Sequence, residues 1–337
     1  MKFISDIHQD ARHPKTLPQS FEWWYFDGIS EEGDYRLAIT FYDGYPFVSD
    51  GFGEPGTRGE LADSASEQLG YRPAVGIVLY HRGKRVFSCL NRYDADEATF
   101  SESTPAAEIA GNSFRFEQRQ KHGNREYGVF DIRINMAGKS GEELKGIVTL
   151  AGLYPNNKLL VNGNGKSAEG NCCNLALPCA TLQCRISLTR NGLVRREMQF
   201  NGTGCHYHHL RSGPAAGRYR EWYQGRVHFP QATLIYSLSK GKKEKECHAW
   251  LVSPDNRRLL HTLSAEAMYR RRPNRYLHWP AHAFRFRDGD IRVSVSHNQL
   301  LETGRRLCRY SSEAVLEHPG IGRATASGAG AYMRHIL

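Results

Sequence analysis

Two short stretches of this sequence, far apart in the chain, set acidic, imidazole and aromatic side chains close together. The first is Ser20-Phe21-Glu22-Trp23-Trp24-Tyr25-Phe26-Asp27-Gly28. In an extended strand successive side chains face opposite ways, so Glu22, Trp24 and Phe26 share one face and Phe21, Trp23, Tyr25 and Asp27 the other. A carboxyl group desolvated beside an indole keeps its proton at neutral pH and can serve as an acid. Ionised carboxylates are almost never fully buried without a partner, so Glu22 is either paired or functional. The aromatic residues have a plainer use as well, as the apolar plug of a β-barrel.

The second stretch is Gly202-Thr203-Gly204-Cys205-His206-Tyr207-His208-His209-Leu210-Arg211-Ser212-Gly213-Pro214, followed by Glu221-Trp222-Tyr223-Gln224-Gly225-Arg226-Val227-His228. As a strand it places His206 and His208 on one face and Tyr207 and His209 on the other. An H-x-H pair can ligate a metal, but spacing alone names no third ligand, and histidines that only hydrogen-bond explain the pair as well. No metal is assigned. No G-x-G-x-x-G opens a helix after a strand, and there is neither a P-loop nor H-E-x-x-H, so no nucleotide or flavin cofactor is expected.

The elements that would position these residues read as strands. Tyr35 to Tyr42 pairs naturally with the first stretch through a polar turn at Gly28 to Asp34. Further strands are expected at Val75–Tyr80, Val86–Leu90, Ser113–Phe116, Tyr127–Ile134, Lys145–Leu150 and Leu182–Leu188. After Gly192 the pattern restarts, with strands at Glu221–Val227, Thr233–Leu238, His248–Ser253, Ala281–Phe286, Ile291–Ser296 and Arg309–Leu316. The spacing favours antiparallel meanders over βαβ units. The expectation is an all-β chain with domains at 1–194 and 195–337, and a long loop from Asp50 to Arg72 near a barrel mouth.

Composition narrows the function classes. The chain has 337 residues and a net charge of +10, yet its basic residues fall in short bursts, around Lys240–Lys245 and Arg270–Arg275, without a nucleic-acid-binding pattern. Nucleic acid is not an expected partner. The second burst could steer an anionic ligand or contact acidic lipid headgroups, so peripheral membrane association stays open. Mean hydropathy is −0.57, and no apolar run is long enough to span a bilayer. Asp6, Asp10 and several histidines occupy the first fifteen residues, where a signal peptide needs an apolar run, and the expected location is cytoplasmic. The eight cysteines then read as reduced thiols.

Taken in order, Phe21-Glu22-Trp23-Trp24-Tyr25-Phe26, Gly202 to Pro214, Trp222-Tyr223-Gln224-Gly225-Arg226 and Gly330-Ala331-Tyr332-Met333 resemble the carotenoid 1,2-hydratase (hydroxyneurosporene synthase) family. That family lies in a lipocalin-like superfamily with tocopherol-cyclase-like and Diels–Alderase-like members. The resemblance implies two consecutive lipocalin-like antiparallel β-barrels or half-barrels that bind an apolar ligand, and hydration of an acyclic carotenoid double bond without a cofactor. Its second-domain motif, Gly-x-Gly-Tyr-x-Asp-x-Asn-x-Gly-x-x-Pro, is matched here at Gly202, Gly204 and Pro214. Cys205 replaces the tyrosine, Tyr207 takes the acid position and His209 the amide position.

Protonating an alkene creates a carbocation, which calls for a strong proton donor and π faces that stabilise the cation. Glu22 beside Trp24 is the expected donor, with Tyr207 and His208 orienting it, positioning water or polarising a carbonyl. Trp24, Tyr25, Tyr42, His209, Trp222, Tyr223 and Arg226 are the expected substrate contacts, and Glu22, Trp24, Tyr207, His208 and Trp222 are expected to line or support one apolar pocket. The expected partner is a hydrophobic polyene or isoprenoid that the protein hydrates or cyclises. A pericyclase or isomerase of a secondary-metabolite pathway and a noncatalytic lipid-binding protein are the alternatives.

Overall fold

The computed structural model describes residues 2–15, 20–45, 72–122, 125–138, 140–154, 171–211, 221–241, 245–256, 258–269, 281–303 and 307–334. The Asp50–Arg72 loop, apart from Arg72, and the Arg270–Arg275 burst lie outside the described residues. The chain divides into two units, one of Met1–Leu79 with Val86–Ala215 and one of Tyr80–Arg85 with Ala216–Leu337. No helix among the described residues is long and apolar enough to cross a membrane.

The first sheet begins with β1 (Lys2–Ile4), β2 (Phe21–Ser30), β3 (Tyr35–Asp43), β4 (Ala74–His81), β5 (Lys84–Arg92) and β6 (Ala98–Phe100). It continues with β7 (Ala106–Ile109), β8 (Asn112–His122), β9 (Arg125–Ala137), β10 (Glu142–Leu153), β11 (Asn171–Arg190) and β12 (Leu193–Arg211). The spatial order is β5-β4-β3-β2-β12-β11-β10-β9-β8-β7-β6, with β1 added in parallel to β11. Inward residues such as Phe26, Ile39, Phe41, Ile77, Phe114, Phe130 and Leu150 form one core.

The second sheet holds β13 (Glu221–His228), β14 (Thr233–Lys240), β15 (Lys245–Val252), β16 (Leu259–Thr262) and β17 (Ser264–Tyr269). It is completed by β18 (Ala281–Asp288), β19 (Ile291–Thr303), β20 (Leu307–His318) and β21 (Gly322–Arg334). In the order β16-β15-β14-β13-β21-β20-β19-β18-β17, the two edge strands are consecutive in the chain and separated only by Leu263. The Leu263 N–H donates to the Ala249 carbonyl at 2.8 Å, so the chain steps off β15 straight towards β18 and nearly closes the barrel. Phe284, Phe286, Val293, Leu316 and Tyr332 fill its core. The expected all-β architecture of two consecutive antiparallel barrels or half-barrels is thus present.

The boundary expected at residue 195 moves to follow Ala215. What reads in sequence as a restart after Gly192 is a hairpin turn. Asn191 and Gly192 both have positive φ, 53° and 77°, as a tight turn between antiparallel strands demands. β12 therefore returns along β11 into the middle of the first sheet, between β11 and β2. The Gly202–Arg211 part of the glycine- and histidine-rich motif belongs to the first sheet and not to a second domain.

The glycines of that motif have a packing reason. Gly204 faces Gly28 across the β12–β2 pair, and a Cβ on either would run into the side chain of Leu150 or Leu182 respectively. A Cβ on Gly202 would overlap the Ile29 carbonyl oxygen of the paired strand. Backbone cannot yield as a flexible side chain does. Gly202→Ala is therefore expected to cost about 2 kcal/mol or more in urea unfolding, while Gly320→Ala, whose nearest atoms lie 3.5 Å away, should stay within about 0.5 kcal/mol.

Candidate functional site

The N-terminal segment is tied across the first sheet by polar contacts. Ser5 Oγ donates to the Leu175 carbonyl at 2.6 Å, Asn174 Nδ2 to the Asp6 carbonyl at 2.8 Å, and the Asp6 N–H to Asn174 Oδ1 at 3.0 Å. The Trp24 indole N–H then donates to the Asp10 carbonyl at 2.8 Å. These bonds hold Asp10 over β12. Its carboxyl Oδ2 lies 2.8 Å from His206 Nε2 and its Oδ1 lies 3.7 Å from His208 Nδ1.

The β2–β12 register does the rest. Trp24 pairs with His208 and Phe26 with His206, so the two histidines stack on those rings at centroid distances of 4.4 Å and 4.2 Å. Glu22, two residues before Trp24 and on the same face, places Oε2 3.0 Å from His208 Nε2. Its Oε1 accepts the His13 backbone N–H at 3.0 Å, with the His13 ring Nδ1 3.7 Å away. Asp10, Glu22 and His206 have no exposed surface and His208 only 2%, while the His13 side chain is 30% exposed. The five residues form an acid–imidazole network that reaches the surface at His13.

Protons are shared along this network. Both ring nitrogens of His206 face oxygen acceptors, the Tyr25 carbonyl at 3.0 Å and the Asp10 carboxyl, so the His206 and Asp10 pair carries a proton on each line and is neutral overall. Burial pushes the Glu22 carboxyl up, but the His13 and His208 imidazoles more than offset this and bring it down to about 2. The same carboxylate pulls the His13 imidazole above its ordinary value, against the effect of burial. Desolvation beside Trp24 was expected to keep Glu22 protonated; two adjacent imidazoles keep it ionised instead.

Of the residues expected to act together, Glu22, Trp24 and His208 are brought together. Tyr207 is not among them. Strand alternation places it on the opposite face of the sheet, where Tyr207 stacks on Tyr25 at 4.5 Å and His209 on Trp23 at 4.5 Å. Tyr42, paired with Trp23, joins this second face. Burial holds the Tyr207 phenol well above its ordinary value, so it is a neutral hydroxyl. Trp222, Tyr223 and Arg226 belong to β13 of the other unit. There the Trp222 indole donates to Ser237 Oγ at 2.7 Å and Tyr223 packs on Phe284 and Tyr332 in the core. Arg226 is buried beside His228, whose imidazole is kept neutral by burial and by the Arg226 charge.

Asp10, His13 and Asn174 belong to the site, and no strand or motif pattern points to them. For Asp10 and His13 the one sequence signal is the density of Asp6, His8, Asp10 and His13 in a short stretch near the start.

No protein-family model matches the chain. In sequence it is 24% identical over 330 residues to the hydroxyneurosporene dehydrogenase of Chlorobaculum tepidum, a match covering 93% of this chain and 82% of that protein. The chain resembles the carotenoid 1,2-hydratase family. In structure it matches CghA solved with Sch210972 at a TM-score of 0.63 and 10% identity, over 96% of this chain and 94% of that one. It matches an AttH-type protein of Nitrosomonas europaea at a TM-score of 0.57 and 14% identity, over 96% and 95% of the two chains. At these identities the likeness is one of fold.

Removing one member of a buried ion pair strands the other. Asp10→Ala leaves the buried His206 Nε2 without its partner and is expected to destabilise the protein by about 3–5 kcal/mol, whereas Asp10→Asn keeps a polar partner and should cost distinctly less. Denaturant unfolding of both variants checks this, and equal, small losses would show that the pair is not a buried ion pair.

Proposed function

We propose that this protein is an enzyme that uses its own side chains to move a proton on a hydrophobic polyene or isoprenoid, hydrating or cyclising it at a double bond. The observation that carries this reading is the Glu22 and His208 pair, buried on an aromatic face and linked through His13 to the surface. His208 is the acid and base, and Glu22 is the fixed anion that stabilises its imidazolium. In hydration the imidazolium gives a proton to one alkene carbon. Water adds to the other carbon and returns a proton to the imidazole, so the net change is addition of one water. The Trp24 ring supplies a π face where positive charge develops. Two comparisons support a small-molecule substrate: the C. tepidum protein is named for hydroxyneurosporene, and CghA is solved with Sch210972.

A second reading rests on the other face of the same strands. Trp23, Tyr25, Tyr207 and His209 form a ladder of rings with a neutral hydroxyl in it, suited to holding a conjugated substrate folded while Tyr207 donates to a carbonyl, as a pericyclase or isomerase requires.

The two readings part on mutation. Purified protein incubated with polyene and isoprenoid extracts is assayed by mass spectrometry for the gain of one water against unchanged mass. On the first reading Glu22→Gln lowers turnover by roughly a hundredfold or more with ligand binding retained, and Tyr207→Phe stays close to wild type. The reverse pattern selects the outer face. Binding without turnover selects a lipid carrier, and activity lost from Glu22→Gln only in proportion to unfolded material makes Glu22 a structural acid.

A further inference from the structure

We propose that His13, Glu22 and His208 form a binding site for a divalent first-row transition metal, with zinc as the reference ion. The three residues come from the segment before β2, from β2 and from β12, and each offers one ligand atom within 4.8 Å of the others. Two imidazoles and a carboxylate are a donor set that zinc takes, with room for a fourth ligand from solvent.

The spacing fits. Ligand bonds of about 2.0–2.1 Å at tetrahedral angles put neighbouring donor atoms about 3.3 Å apart. The observed separations, 3.0 Å from His208 Nε2 to Glu22 Oε2 and 3.7 Å from His13 Nδ1 to Glu22 Oε1, bracket that value. The longer one exceeds a normal hydrogen bond, and His13 Nδ1 is a buried atom with no hydrogen-bond partner among the described residues. A metal held between the three donors would satisfy that nitrogen.

The surroundings are those of a ligand set. His208 Nδ1, the ring atom that would face away from the metal, looks towards Asp10 Oδ1 at 3.7 Å, which sets a carboxylate charge behind the ligating ring. The His13 backbone N–H anchors the Glu22 carboxylate at 3.0 Å. The exposed side of His13 marks the direction from which an ion and its water would enter. On the second unit His318 Nε2 and His261 Nε2 lie 3.3 Å apart, but there the nitrogens are already bonded to each other, to Asp288 and to the Gly320 N–H. That pair offers two imidazoles and serves as the control.

One consequence rests on the proposed function. Metal on His208 Nε2 takes the lone pair that would carry the proton, so the metal-loaded protein should lose proton transfer.

The test uses the full chain stripped with a chelator. Calorimetric titration with zinc chloride at neutral pH is expected to show one site with a Kd on the order of micromolar or tighter, and cobalt(II) should give the visible absorption bands of a low-coordinate nitrogen and oxygen site. His13→Ala, at the half-exposed rim where folding is least at risk, should weaken zinc by at least about tenfold, and His318→Ala should leave it unchanged. No saturable binding below about 100 µM, or binding lost with His318→Ala and kept with His13→Ala, overturns the site. Zinc that binds with the expected variant pattern and abolishes turnover supports both the site and the proton-transfer role. Zinc that binds in that pattern and raises turnover keeps the site and removes His208 as the proton carrier.

Discussion

The interior of the first unit depends on pairing two fully enclosed carboxyl groups, Asp10 and Glu22, beside its apolar core. Moving a carboxylate out of water costs several kcal/mol even after relaxation, and the cost is recovered only if oppositely charged and hydrogen-bonding groups meet it with good geometry. Here His206, His208, Asn174 and the His13 N–H supply those groups. None of them is a sequence neighbour of both acids. Asp10 in the N-terminal segment is therefore seated against His206, which the β11 and β2 ladders hold in place. One electrostatic requirement couples the segment before β2 to a strand more than 190 residues later.

Two adjacent strands serve two chemistries because alternation separates their faces. On β2 and β12 the inward face carries Glu22, Trp24, Phe26, His206 and His208, and the outward face carries Trp23, Tyr25, Tyr207 and His209. Each histidine sits opposite an aromatic residue in register, so stacking fixes the ring planes while hydrogen bonds fix their nitrogens. The paired glycines Gly28 and Gly204 continue the pattern without side chains and admit leucines from β10 and β11. A one-residue slip would turn every acid and imidazole to the wrong face, so the close contacts at the glycines hold the register that the network needs.

Much of this was legible in the sequence. The period of two in Glu22, Trp24 and Phe26, and in His206 and His208, assigns both sets to one face each, and the structure agrees. The same rule separates Tyr207 from His208, yet the motif alignment draws them together, because Tyr207 stands where the resembled family keeps an acid. Geometry outweighs alignment at that position. Asp10 and His13 escape notice because they sit in a short irregular segment whose role exists only through long-range contacts. The protonation of Glu22 also depends on partners that local sequence does not supply: the aromatic neighbours argue for a neutral acid, and the imidazoles from residues 13 and 208 reverse it. The domain boundary was obscured by the Asn191-Gly192 turn, which marks the end of a strand as clearly as the end of a domain. β21, rich in glycine and alanine, lacks the β-branched and aromatic composition by which strands are recognised.

The proposed reaction is limited by the proton donors that the site holds. On the proposed reading, with Glu22 ionised and Tyr207 facing away, the proton donor on the inward face is an imidazolium, a weaker acid than the carboxylic acid that the resembled motif would place in the chain. A weak acid protonates a carbon atom at a useful rate only where the charge formed is widely delocalised, because the energy lost in proton transfer must be recovered in the product cation. A long conjugated polyene meets that condition, and an isolated double bond does not. The fixed anion at Glu22 and the Trp24 ring lower the barrier further by stabilising positive charge where it develops, and their burial strengthens both effects. The exchange of acid for imidazole thus confines the proposed reaction to substrates whose own electrons share the work of stabilising the cation.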